Sequence, residues 1–322
     1  GNRYKANYTN SIDIYILLEN DVMATKVGSA AAVNGPGKFF FDDTPNIIYY
    51  WTSDGSNPNT KTMEVGARYN SVVCDDRQYI DFYNLHFHGA GGQYGANFEI
   101  RPTWQSPKDI SIVNCKSSNA YYCGIWATYA TGMTSIDNFG VYGTEVNNNS
   151  TFGIRVDGEN TSNKATNTVI NGCHIHNNGN AVFGFYGAYL QFTNISLITG
   201  CLIHDNDGFV AWGDNVYVES STHLEVSYNT VYGGNHHGLH FDVNSNYFIC
   251  KYNTVYNTAD SAIAVEEHLI SNGASVIYGN TSYNCLYGLV FGPGGSIFEV
   301  SGVTVRNNLW AFSTRANIEL GE

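Results

Sequence analysis

Along the second half of the chain, short runs of alternating apolar and polar residues are broken by Asn, Gly or Asp, and one unit recurs in register. It reads Ser227-Tyr228-Asn229-Thr230-Val231-Tyr232, Lys251-Tyr252-Asn253-Thr254-Val255-Tyr256, Tyr278-Gly279-Asn280-Thr281-Ser282-Tyr283 and Arg306-Asn307-Asn308-Leu309-Trp310. Carried upstream, the column Cys173, Cys201, Asn229, Asn253, Asn280, Asn308 is spaced by 28, 28, 24, 27 and 28 residues. Alternation of period two marks a strand with one buried face. Such a repeat, with short strands, a recurrent turn Asn and no helical stretch, predicts coils stacked into a solenoid rather than a leucine-rich or ankyrin array. Amides stacked about 4.8 Å apart along one column hydrogen-bond from coil to coil and satisfy the polar groups of a bend.

The pattern therefore predicts an all-β fold, a single-stranded right-handed parallel β-helix of about eight or nine coils over residues 80–322. Residues 1–79 alternate (Ile12, Ile14, Ile16) without fitting the unit, and are expected to form an irregular β-rich N-terminal segment with a loop at Asp54-Gly55-Ser56-Asn57-Pro58. Neither end carries an evident helical cap, so unpaired strand edges are expected to meet a larger protein or other copies, allowing end-to-end self-association.

Within a coil, the strand after the turn assigns side chains to the two faces. In Gly238-Leu239-His240-Phe241-Asp242, Leu239 and Phe241 point inward and His240 and Asp242 outward; in Ala262-Ile263-Ala264-Val265-Glu266, one coil on, Glu266 falls beside Asp242. Alignment on the opening small residue puts Trp212, from Gly208-Phe209-Val210-Ala211-Trp212, in the same outer column. Gly153-Ile154-Arg155-Val156-Asp157 and Gly124-Ile125-Trp126-Ala127-Thr128 add Arg155, Asp157 and Trp126, and Tyr186 faces outward in either register of its coil. Trp126, Arg155, Asp157, Tyr186, Trp212 and His240 then flank Asp242 and Glu266 as a sugar-binding face, because aromatic rings stack on pyranose faces while acids and His bond hydroxyls. Tyr and Trp are also ordinary strand formers, so a lone ring on this face reads as structural. A pair of carboxylates on adjacent coils does not, since a structural sheet avoids like charges side by side.

Composition narrows the partners. A net charge of −13 repels phosphate backbones and anionic lipid, so neither nucleic acid nor a membrane is expected. Charged residues make up 13% of the chain, about half the usual share, while Gly (34) and Tyr (24) are abundant, as in turn-rich β proteins. Seven cysteines in no metal or scaffold spacing read as core thiols, with Cys173 and Cys201 stacked as a free ladder or joined in a disulfide. Sequons at Asn7, Asn148, Asn149, Asn160, Asn194 and Asn280 and the composition favour an extracellular or cell-surface protein.

The strands Gly238-Leu239-His240-Phe241-Asp242 and Ala262-Ile263-Ala264-Val265-Glu266, with Tyr252-Asn253-Thr254-Val255-Tyr256-Asn257 between them, resemble the right-handed β-helix glycoside hydrolases of the family 120 β-xylosidase type and their pectate-lyase-like relatives. The segment Gly37-Lys38-Phe39-Phe40-Phe41-Asp42-Asp43 through Ile47-Ile48-Tyr49-Tyr50 also resembles the part that precedes the coils there. The resemblance implies a retaining hydrolase with Asp242 as nucleophile and Glu266 as general acid and base, and no cofactor. Carboxyl groups about 5 to 5.5 Å apart, as adjacent coils would place them, suit retention, and ionised Asp242 is expected to raise the pKa of Glu266.

Two rival readings stand beside it. One is a polysaccharide lyase acting on uronate polymers, with Arg155 beside Asp157 and calcium bridging an anionic substrate to an acidic protein. The other is a non-catalytic surface or filament-forming solenoid. His236 and His237, with His240 and Asp242, have ligand chemistry, but at a turn they read first as turn residues, and no metal site is assigned.

Overall fold

The computed structural model describes residues 3–8, 13–129, 136–179, 186–207, 213–266, 274–292 and 302–320. From Val72–Asp75 onward each coil lays down three short strands, one in each of three parallel sheets. Among the described residues these sheets hold ten, ten and nine strands, and helix is confined to two single turns, Ala30–Ala32 and Pro58–Thr60. No helix there is long and apolar enough to cross a membrane. The first sheet, which matters most below, contains Cys123–Ala127, Phe152–Asp157, Tyr186–Gln191, Asp214–Glu219, Leu239–Asp242 and Ser261–Val265 in coil order.

The interior is built from columns of one residue per coil. Ile125, Ile154, Ala188, Val216, Leu239, Ile263 and Leu289 pair in register and are fully buried. Each large member contributes about 1.5–3 kcal/mol through loss of apolar surface to water. Because every coil repeats the pattern, the core runs the length of the rod.

Polar ladders hold the bends. Asn229, Asn253, Asn280 and Asn308 stack as expected, each Nδ2 donating to the next Oδ1 at 3.0 Å. The same oxygens accept the backbone N–H of the ladder residue one coil earlier, at 3.0, 3.0 and 2.9 Å. The residue before the ladder is left-handed in successive coils (Gly172, Gly200, Tyr228, Tyr252, Gly279, Asn307), so the amide bonds offset the backbone strain that Tyr228 and Tyr252 accept there. Cys173 and Cys201 continue the column, and all seven cysteines are buried free thiols.

A second ladder, unforeseen from the sequence, runs through Asn149, Asn178 and Asn206 with 2.9 Å amide bonds, and ends on Asn97 below and Asn215 above. It explains the glycines that open strands of the first sheet. A Cβ on Gly124, Gly153 or Gly187 would lie 2.6, 2.8 or 2.6 Å from the Nδ2 of Asn149, Asn178 or Asn206.

The N-terminal segment is β-rich and irregular. Strands Tyr4–Asn7, Ile47–Trp51, Lys38–Asp42 and Thr25–Lys26 form one small sheet and Val22–Met23, Leu17–Glu19 and Met63–Val65 another. Phe39, Phe41, Ile48, Tyr50, Ile14 and Leu17 fill its own core. It rests on the early coils, where Asn119 Nδ2 donates to Asp21 O at 3.2 Å and Tyr15 packs on Tyr121.

Candidate active site

The outer face of the first sheet carries two neighbouring columns. Trp126, Arg155, Tyr189, Tyr217, His240 and Ala264 follow one another in register, and Asp157, Gln191, Glu219 and Asp242 form the next. Glu266 lies one coil beyond Asp242, its backbone N–H donating to Phe241 O at 2.9 Å. The expected placing of Trp212 needs correction: residues 208–212 lie outside the described residues, and the strand of that coil is Asp214–Glu219. Val216 and Val218 point inward there, so Tyr217 and Glu219 take the outer positions beside His240 and Asp242. Alignment on an opening glycine fails in this coil because Asn215, the top of the second ladder, replaces the glycine.

Three of the expected residues converge. Polar atoms of His240, Asp242 and Glu266 all lie within 4.8 Å of one another, so the two carboxylates on adjacent coils approach at least that closely. Asp242 accepts from Tyr217 Oη at 2.6 Å and from the Val243 N–H at 2.7 Å. Glu266 Oε1 lies 3.4 Å from His237 Nε2 and 3.7 Å from His240 Nε2.

Beneath them is a buried anchor. Asp214 Oδ2 is bonded to His240 Nδ1 at 2.9 Å, and Oδ1 to His236 Nδ1 at 2.7 Å and the His237 N–H at 3.0 Å. His240 points away from the solenoid interior, yet it is 3% exposed, and its Nε2 has no hydrogen-bond partner among the described residues. Burial alone would push His240 down, but the Asp214 carboxylate outweighs it, with Glu266 and Asp242 adding, and the imidazole is pushed up to about 9. Burial likewise opposes ionisation of Asp214, and the surrounding imidazoles reverse this, holding its carboxyl far below the usual range. His237, bonded through Nδ1 to Ser261 Oγ at 2.6 Å, is lowered by burial.

Glu266 departs from expectation. Burial pushes its carboxyl up, but the His237 contact and the charge of His240 prevail, and it sits below the ordinary carboxylate value instead of above it. Repulsion from Asp242 alone would give the opposite sign; the neighbouring histidines set it.

Trp126, Arg155 and Asp157 stand lower on the same face and form a unit of their own. Arg155 Nε donates to Asp157 at 2.7 Å and Nη1 to Tyr122 Oη at 2.6 Å, while Trp126 Nε1 donates to Asp157 at 2.8 Å. The guanidinium also lies over Phe152 and Tyr189. It is three coils from His240, about 14 Å. Tyr186 lies between the two clusters, its ring stacked on Tyr217 at 4.4 Å and 5°. The sequence did not point to Asp214, Tyr217 or Glu219, and offered His237 only as a turn residue with ligand chemistry, although Val216-Tyr217-Val218-Glu219 has the alternation, and Glu219 precedes Asp242 by 23 residues much as Asp242 precedes Glu266 by 24. As metal ligands Asp214, His236, His237 and His240 are close enough, but both Asp214 oxygens already accept imidazole bonds.

These features define a parallel solenoid with a buried acid–imidazole cluster on one outer face, and the family model for the right-handed β-helix region matches residues 99–268. The chain belongs to that family. Among solved structures it is similar to XylC in complex with xylose (12% identity, 94% of this chain and 66% of that one, TM-score 0.56). It is also similar to the periplasmic alginate epimerase AlgG (14%, 74% and 58%, 0.52) and to an alginate lyase from Paenibacillus sp. str. FPU-7 (14%, 78% and 91%, 0.50). At these identities the likeness is one of fold. No curated protein matches the chain.

Proposed function

We propose that the protein is a secreted carbohydrate-active enzyme, a retaining glycoside hydrolase acting on a poly- or oligosaccharide through Asp242 and Glu266. The observation that carries this is the approach of these two carboxylates to within 4.8 Å on adjacent coils, together with His240. That separation suits direct attack on a sugar and leaves no room for a water between carboxylate and anomeric carbon. Asp242, its oxygens oriented by Tyr217 and the Val243 N–H, forms the bond to the anomeric carbon as the glycosidic C–O bond breaks. The leaving oxygen takes a proton from Glu266, to which protonated His240, its Nε2 3.7 Å from Oε1, passes its own. Water then attacks the glycosyl ester and returns its proton to Glu266. Fold likeness to XylC with bound xylose and to alginate-acting proteins supports a glycan substrate.

The Asp214–His240 arrangement also brings a lyase to mind, since elimination needs a group that removes a proton beside a uronate. Here His240 is held protonated and Tyr217 donates to Asp242, so neither is a ready base near neutral pH. Arg155 is tied to Asp157 and Tyr122. A panel of aryl glycosides and uronate polymers, run with and without chelator, tests the reading. Release of aglycone that is lost in Asp242→Ala supports hydrolysis, and an absorbance rise from unsaturated uronate ends would make the enzyme a lyase.

A further inference from the structure

A second imidazole cluster lies on the outer face of the third sheet, apart from the chemistry above. His174 and His176 stand two apart on strand His174–His176 and so project from one side, and His204, on the next coil, pairs with His176. His174 Nε2 is 2.8 Å from His204 Nε2, and ligand nitrogens of all three rings lie within 4.8 Å of one another. Asp205 Oδ2 accepts from His204 Nδ1 at 2.8 Å. That bond leaves the lone pair of His204 on Nε2, facing the other two rings, as a carboxylate behind a ligating imidazole does. Glu145, one coil earlier, brings Oε1 to 3.3 Å from His176 Nε2. His176 and His204 are each 13% exposed, so the cluster opens to solvent on one side.

We propose that His174, His176 and His204 bind a divalent transition metal of the zinc class, with the fourth position open to water. Three neutral imidazoles suit zinc, copper or nickel, whereas calcium and magnesium need oxygen ligands. Metal–nitrogen bonds of 2.0–2.1 Å in a tetrahedron place ligand atoms about 3.3 Å apart, so the His174–His204 pair has to open by about 0.5 Å. The rings are also stacked, His174 on His176 at 4.1 Å and 26° and His176 on His204 at 5.0 Å and 11°, so binding requires them to turn until their nitrogens aim at one ion. The same column continues as Tyr232, Tyr256 and Tyr283, which stack at 4.9 and 4.8 Å without a nitrogen between them. Stacking gives no reason for His174, which pairs in register with Leu202, to meet His204 nitrogen to nitrogen.

Titration of the full chain with zinc chloride, followed by calorimetry and by imidazole nitrogen NMR, tests the site. Zinc should shift the Nε2 resonances of these three histidines first. His174→Ala and His204→Ala should each weaken that event by about 100-fold or more, and Asp205→Asn by about 10- to 100-fold through loss of ring orientation. Circular dichroism and glycoside turnover should be unchanged in all three variants. If a variant fails to fold, the NMR shifts of the unaltered protein still decide. No zinc uptake, uptake that survives both histidine substitutions, or first shifts at His236, His237 and His240 overturns the proposal.

Discussion

Replacing Asp214 with Asn removes the charge on which the candidate active site rests. Asp214 is buried with His240, and His240 is held at about 9 against an ordinary 6.5. That gap, at about 1.36 kcal/mol per pH decade, corresponds to about 3 kcal/mol between the two protonation states. Its sign follows from which state keeps the proton. Between pH 6.5 and about 9 the native protein holds a proton on His240 that the unfolded chain has released, so this stabilisation is complete below 6.5 and lost as pH rises through 9. His237 is lowered, so its own contribution acts below 6.5 and leaves this window clear. In Asp214→Asn the largest opposition to burial at His240 is gone and only Glu266 and Asp242 still raise it, so the imidazole should titrate well below its wild-type value and the alkaline loss of stability should shrink. Carbon-detected titration of the imidazoles gives the pKa directly, and urea unfolding at pH 6.5 and 9 gives the stability difference. A wild-type His240 that titrates near 6.5, or an equal alkaline loss in both proteins, refutes the reasoning.

Two further substitutions separate chemistry from architecture. Tyr217→Phe deletes the 2.6 Å bond to Asp242 and should lower kcat/KM by about 10- to 100-fold with unchanged circular dichroism, as expected for loss of a bond to a charged group. Asn253→Ala removes the Oδ1 that accepts two bonds and the amide that donates to Val226 O and Asn280 Oδ1, and leaves the Asn229 N–H without its partner, which should cost about 2–4 kcal/mol in urea unfolding.

What could be read from sequence was whatever repeats in every coil. The Asn column from Asn229 to Asn308 was visible because its neighbours repeat with it, and Asp242 and Glu266 because Leu239, Phe241, Ile263 and Val265 alternate without interruption. The coil between 208 and 219 broke the rule on which it was aligned. Asn215 stands where other coils have glycine, for a reason that exists only once Asn206 is known to reach it. Tyr217 and Glu219 were lost with that register. Asp214 opens its strand and His237 sits at a turn, where alternation gives no guide, and only the fold shows Asp214 Oδ2 turning back onto His240. The lowered Glu266 carboxyl has a related origin, since His237, one of the two imidazoles that hold it, comes from a turn.

The account's central claim is that Asp242 and Glu266 act on one sugar as nucleophile and proton donor. The most direct measurement is proton NMR of the first-formed product during hydrolysis of a glycan selected by the substrate panel, with Asp242→Ala and Glu266→Ala run alongside. The account predicts retained anomeric configuration, no turnover in Asp242→Ala, and turnover in Glu266→Ala only for glycosides whose leaving groups need little protonation. An inverted first product, or full activity of either variant on the natural glycan, would contradict it.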